Sequence, residues 1–307
     1  MTTSQKILVL MDGSERSRET LKYITEVEPL REKEIVLFHV YSEIPEYYWD
    51  LDQDPQHPNA LPGFDAWQKE KLARVNTFMK EGKRYLTDAG LDADRIHIRV
   101  HPREVGVARD VLEEAQTGYA AVVLRRRGMG YLKEVVLGSV SSKLLSKLPE
   151  VPVLLAGKKP VTNKVLIGVD GSDSAERAVD FVGAQLGGFD YHAEMIHVIR
   201  GITTLSPGSP EYIPPEIFDV MKKEGEKQLQ RLKDRLVAAG FAADHVSGKI
   251  LSGVESRAEA IVNEAETNGI DTIVIGRKGL SRIQDFFLGR VSHKIIHSGR
   301  DFTVWIT

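Results

Sequence analysis

Two short patterns carry the chemistry this chain could do. Asp-Gly-Ser occurs as Asp12-Gly13-Ser14 and again as Asp170-Gly171-Ser172, 158 positions on. Each follows an apolar run, so each aspartate stands at the carboxyl end of a predicted strand, where open α/β sheets bind ligands. The plainer reading is a tight turn and a helix cap, from the serine or from Asp173, which has capping-box spacing to Glu176. The second pattern is Gly276-x-x-Gly279, nine residues, then Gly289 and a predicted helix over 290–298. Glycine permits close approach of backbone to ligand and positive φ. Free N–H groups at a helix start attract anions. The first half repeats this as Gly128, Gly138 and Ser139, with Arg125 in place of the first glycine. Such groups cradle phosphate. No set of nucleophile, base and oxyanion donor accompanies them, so no catalytic residue is assigned.

The elements that must hold these residues come from a repeat of the whole half-chain. The offset that carries Asp12 to Asp170 also carries Phe38-His39-Val40 to Ile196-His197-Val198, and 122–145 matches 273–296. Strands are predicted at 6–11, 34–41, 95–101, 119–125 and 151–156, then at 164–169, 191–199, 245–251, 271–276 and 302–306. Amphipathic helices are predicted between them, notably at 66–89 and 215–239. Strands alternating with helices give a parallel sheet covered on both faces. The fold expected is therefore α/β, with two tandem, doubly wound, five-stranded parallel-sheet domains at 1–157 and 163–307. A short polar stretch, Lys158 to Thr162, joins them. Proline-rich segments at 42–65 and 200–215 read as long loops. The last strand of each half, Val151 to Ala156 and Phe302 to Ile306, needs a partner for its edge.

Composition narrows the function. With 307 residues, 42% hydrophobic and 28% charged, the chain reads as globular. A net charge of −3 gives no field for nucleic acid. No apolar run is long enough for a membrane helix, and Ile7 to Met11 is too short for a secretory leader. A cytoplasmic location is expected. Cysteine is absent, which excludes disulfides and thiolate sites. There is no G-x-G-x-x-G after the first strand and no Walker loop anywhere. His39 and His197, ending predicted strands, read as core histidines. His97, His101, His293 and His297 have better spacing for a metal but lack an accompanying acid, so no metal site is expected. Mg2+ would come only with a nucleotide. Arg125, Arg126, Arg127 and Lys133 form the one basic cluster, read as a solvated face or an anion site.

Asp-Gly-Ser after the first strand, His-Val ending the second, and the G-x2-G-x9-G loop together resemble the universal stress protein family in its tandem form. The resemblance implies the strand order 3-2-1-4-5, an adenine-nucleotide-hydrolase-like fold, and ATP or a related adenine nucleotide as ligand in some members. It implies a site of Val169, Asp170, Val198, Gly276, Gly279, Gly289, Arg290 and Val291 in the second half. The counterpart is Met11, Asp12, Val40, Gly128, Gly138, Ser139 and Val140 in the first. Both halves depart from the motif. Arg125 puts a side chain where backbone should meet ligand, and any positive φ there would be costly. Arg290 removes only a hydroxyl and puts a cation at a helix start. It would meet a phosphate, or else plug the cavity against Asp170, as Arg125 could against Asp12. The second half is therefore expected to be the better site and the first weak or empty. The function expected is stress-linked nucleotide binding without rapid turnover. The alternatives are a ligand-free interaction module and, third, a slow nucleotide hydrolase. A homodimer built on an intramolecular two-domain unit is expected.

Overall fold

The computed structural model describes residues 5–42, 64–125, 137–201, 212–279 and 288–307. Most of both proline-rich segments, Gly128, and Arg126, Arg127 and Lys133 lie outside these residues.

The first half runs β1 (Lys6–Leu10), α1 (Glu15–Glu26), α2 (Glu28–Arg31), β2 (Glu34–Tyr41), α3 (Phe64–Asp88), β3 (Ile96–Pro102), α4 (Val107–Ala115), β4 (Ala121–Arg125), α5 (Ser139–Lys147) and β5 (Val153–Ala156). The second half runs β6 (Lys164–Val169), α6 (Asp173–Leu186), β7 (His192–Arg200), α7 (Pro215–Ala238), β8 (Val246–Val254), α8 (Arg257–Thr267), β9 (Thr272–Ile275), α9 (Arg290–Ser298) and β10 (Thr303–Ile306). The strands follow the apolar runs because strands of a parallel sheet are buried on both faces and read as continuous hydrophobic stretches. Single turns of 3-10 helix, Ala93–Arg95 and Ala243–His245, lead into β3 and β8.

All ten strands form one sheet, in the order β3-β2-β1-β4-β5-β10-β9-β6-β7-β8. Each half therefore has the order 3-2-1-4-5. Pairing is parallel except at the seam, where β5 and β10 run antiparallel with Leu154 opposite Trp305. The two strand edges that needed partners find them in each other. Apolar packing crosses this seam. Trp305, 1% exposed, lies in one continuous core with residues of both halves. Its indole Nε1–H donates to the hydroxyl of Tyr23 on α1 at 2.9 Å. The linker is fastened to the second half, with Lys158 and Lys159 amides donating to Asp301 O and the Thr162 amide to the buried Asp271 carboxylate.

Strand register aligns the halves position by position. Ile7 faces Ala121 where Val165 faces Thr272. Arg125 therefore takes the place of Gly276.

Candidate nucleotide site

In the second half a cavity of about 450 Å³ opens at the carboxyl ends of β6, β7 and β9. That is the size of a small-molecule site. Its apolar floor includes Val169, Ile196, Val198, Ile261 and Ile275. At its side the Asp170-Gly171-Ser172 turn is stiffly built. Gly171 takes φ +82°, a conformation open to glycine at no steric cost. Asp170 Oδ1 accepts from the Ser172 amide at 3.1 Å and from its hydroxyl at 2.6 Å. Ser172 Oγ accepts in turn from the Ala175 amide, capping α6. The cap is thus Ser172 and not Asp173, which is the first helical residue. Glu176 does not reach back to the cap, because Arg231 and Arg235 of α7 hold it. His197 donates from Nδ1 to the Val169 carbonyl at 3.1 Å, tying the ends of β6 and β7 together. Burial holds its proton affinity below the ordinary histidine value, against the opposing pull of that bond and of Asp170.

The glycine loop is shaped by protein packing. A β-carbon on Gly276 would sit 2.6 Å from Ser174 Oγ and 2.7 Å from its carbonyl carbon, and one on Gly279 would collide with the Asp170 carboxylate. Neither glycine nor Gly289 takes positive φ; Gly289, the residue before α9, has φ −62°. Of the two properties glycine offers, the loop uses close approach: Gly276 comes close to Ser174 of α6, Gly279 to the Asp170 carboxylate and Gly289 to the Arg277 carbonyl. The loop is pinned by hydrogen bonds from Ser292 Oγ to Gly276 O, from the Gly289 amide to Arg277 O, and from the Lys278 amide to Ser174 Oγ. The first-turn amides of α9, from Arg290 to Ser292, have no intrahelical acceptor. Arg290, Val291 and Ser292 line the cavity.

Five cations line this cavity, Arg200, Arg257, Lys278, Arg290 and Lys294, against the acids Asp170 and Glu255. Arg257 and Arg290 are the first residues of α8 and α9. A cation there is disfavoured by about 0.3–1 kcal/mol unless an anion is near. Among the described residues no ion pair joins Arg290 to Asp170.

The first half holds a smaller cavity, about 330 Å³, lined by Met11, Asp12, Val40, Gly138, Ser139 and Val140 among others. Asp12 is an exposed turn residue, and the partial desolvation of its carboxyl opposes ionisation. The hydroxyls of Ser14 and Ser17 and the Ser14 amide outweigh that desolvation and hold its carboxyl below the usual range. Arg125 lines the cavity, but its Nε lies 3.0 Å from Glu19 Oε2. Its partner is α1 and not Asp12. As a strand residue opposite Ala156 it bears no left-handed strain, so the cost that a positive φ would carry does not arise. The positions of Arg257 and Arg290 are taken here by Val107 and Ser139, the first residues of α4 and α5.

The family model described as the universal stress protein family matches residues 3–156 and again 162–300. The chain belongs to the universal stress protein family. This universal stress protein is 32% identical over 139 residues to universal stress protein YxiE of Bacillus subtilis, covering 43% of this chain and 90% of that protein. A universal stress protein of Mycolicibacterium smegmatis is 24% identical over 302 residues, 96% of this chain and 95% of its own. The crystal structure of a universal stress protein from Archaeoglobus fulgidus superposes with a TM-score of 0.64 at 22% identity, covering 99% and 98% of the two chains. That likeness is one of fold.

In this universal stress protein the second-half residues singled out from sequence, Val169, Asp170, Val198, Gly276, Gly279, Gly289, Arg290 and Val291, all line one cavity. Sequence reasoning missed Arg200, Arg257, Lys278 and Lys294. One signal was available for Arg257: a cation directly after Ser256, a good N-cap, where an acid is the usual choice.

Proposed function

We propose that this universal stress protein binds ATP or a related adenine nucleotide in its second half and holds it without rapid turnover, while the first half serves as scaffold. The observation that carries this reading is the pair of helix starts, Arg257 and Arg290, converging with Lys278 and Lys294 on a cavity that Val169, Ile196, Val198, Ile261 and Ile275 also line. A purine base suits these apolar side chains. A polyphosphate suits two helix N-termini and a cluster of cations. Mg2+ would arrive with the phosphates. The first half supports the contrast, because Val107 and Ser139 replace both arginines and Glu19 holds Arg125.

Calorimetry of the full chain tests this. One equivalent of ATP is expected to bind. The double variant Arg257→Val, Arg290→Ser, which copies the first half, should lose at least ~100-fold in affinity, as two charge-assisted contacts of about 1.5–3 kcal/mol each imply at about 1.4 kcal/mol per tenfold. Ser139→Ala should leave binding unchanged. Equal binding by the double variant, or loss in Ser139→Ala, refutes the assignment. Phosphate release at a rate matching ordinary hydrolases, abolished by Asp170→Ala, would replace binding with catalysis.

A further inference from the structure

The amino ends of the strands, opposite the cavity, hold a second constellation. Asp190, His192 and His245 each present one donor atom, and the three atoms lie within 4.8 Å of one another. Asp190 Oδ1 is 3.4 Å from His245 Nδ1. The imidazoles of His192 and His245 stack at 3.8 Å with 27° between planes. The same corner of the first half is built from other chemistry. Glu34 opens β2 as His192 opens β7, and Arg95 ends its 3-10 turn as His245 does. There Glu34 is closed by Lys6 at 3.0 Å and His97 at 3.1 Å, and Arg95 donates to the Glu32 carbonyl at 3.0 Å. In the second half the lysine at the matching place, Lys164, extends to the Asn268 carbonyl, and Ser247 stands where His97 was. Among the described residues no Lys or Arg pairs with Asp190. A carboxylate and a guanidinium, Glu34 and Arg95, have been exchanged for two imidazoles, His192 and His245.

We propose that Asp190, His192 and His245 form a binding site for a first-row divalent transition metal, with Zn2+ as its reference occupant. Two imidazole nitrogens and one carboxylate oxygen are a common three-ligand set for that ion, leaving the fourth position to water. Donors at 2.0–2.1 Å around a tetrahedral ion stand about 3.4 Å from one another. The Asp190–His245 pair already has that spacing, and side-chain rotation of His192 brings in the third ligand. The metal would clip the connection between α6 and β7 to the start of β8. His293 and His297, with ring centroids 4.3 Å apart on α9, are a rival pair.

The test is titration of the full nucleotide-free chain with Zn2+ by calorimetry and with Co2+ by absorption spectroscopy. One equivalent of Zn2+ should bind, and Co2+ should give the intense visible bands of a tetrahedral site. His245→Arg restores the first-half residue and His192→Ala removes a donor from a side chain that is not fully buried, so folding should survive, as circular dichroism will check. Each should lower affinity by more than the roughly 10–100-fold that loss of an outer-shell partner costs. His293→Ala should leave binding unchanged. If the wild-type chain takes up no stoichiometric Zn2+ at tens of micromolar, or if both substitutions leave uptake intact, the site is refuted. Loss in His293→Ala with retention in His245→Arg would move the metal to α9 and equally refute it.

Discussion

Arg277 Nη1 donates to the Leu145 carbonyl at 2.6 Å, reaching from the second half into the last turn of α5 in the first. The same nitrogen meets Leu144 O at 3.3 Å, and Nη2 meets Val151 O at 3.3 Å. The side chain is 4% exposed, and burial pushes the guanidinium pKa down to about 10, leaving it charged at neutral pH. A cation at the carboxyl end of a helix is well placed for the helix dipole. Arg277 lies between Gly276 and Gly279, so the loop beside one cavity is anchored to the helix whose amino end faces the other.

Arg277→Lys should therefore destabilise the fold by about 2–4 kcal/mol. An ammonium cannot reproduce a planar fork spanning three carbonyls, and buried acceptors left unpaired are costly. Urea unfolding monitored by circular dichroism gives the value. A loss under about 0.5 kcal/mol, the range of ordinary surface substitutions, would contradict the anchoring role.

Tyr23→Phe tests the seam from the other side. It leaves the Trp305 indole N–H buried without its acceptor, at a cost of about 1–3 kcal/mol. The midpoint of denaturant unfolding should fall accordingly. No shift would mean that the indole finds another partner.

Gly276→Ala and Gly279→Ala should separate by their obstacles. The first drives a methyl into Ser174 backbone, the second into the end of a carboxylate side chain. Overpacking costs about 1–3 kcal/mol, and a side chain yields more readily than backbone. Gly276→Ala should lower the melting temperature more. Gly279→Ala should chiefly displace Asp170 and weaken ATP binding. The reverse order would show that the loop glycines answer to ligand alone.

Acid should loosen the molecule through two half-buried imidazoles. Burial lowers the proton affinity of His39 and His197, against their bonds to the Met11 and Val169 carbonyls. Unfolded histidine titrates near 6.5. Between that value and the lower folded one, the unfolded state binds more protons, so stability rises with pH there. The contribution is fully present above about pH 6.5 and is lost as pH falls through it toward the folded value. The double variant His39→Gln, His197→Gln should flatten the urea midpoint over that window. An unchanged slope would assign the acid sensitivity to other groups.

Much of this architecture was legible because buried parallel strands announce themselves. KILVLM and KVLIGV have no polar face to blur the signal, and the half-chain repeat fixed their correspondence. The candidate cavity was legible as far as it is built from residues next to strand ends, such as Asp170 and Gly276. What escaped depends on distance along the chain. Arg277 looks like one more basic loop residue until its carbonyl partners, 126–133 positions earlier, are brought beside it. Asp190 and His245 carry no shared motif, since they meet only when β7 and β8 start side by side. The protein contacts of the loop glycines were hidden because sequence shows where a side chain is lacking and not what lies beside the gap.

The antiparallel junction of β5 with β10 has a further consequence. Were it formed by two identical subunits, every substitution would appear on both sides of the axis at once. Enclosed in a single polypeptide, it releases the halves from that constraint. One side can give up arginine for valine at a helix start, or exchange a glutamate and an arginine for histidines, while its twin goes another way. Division of labour between them is what such covalent asymmetry permits.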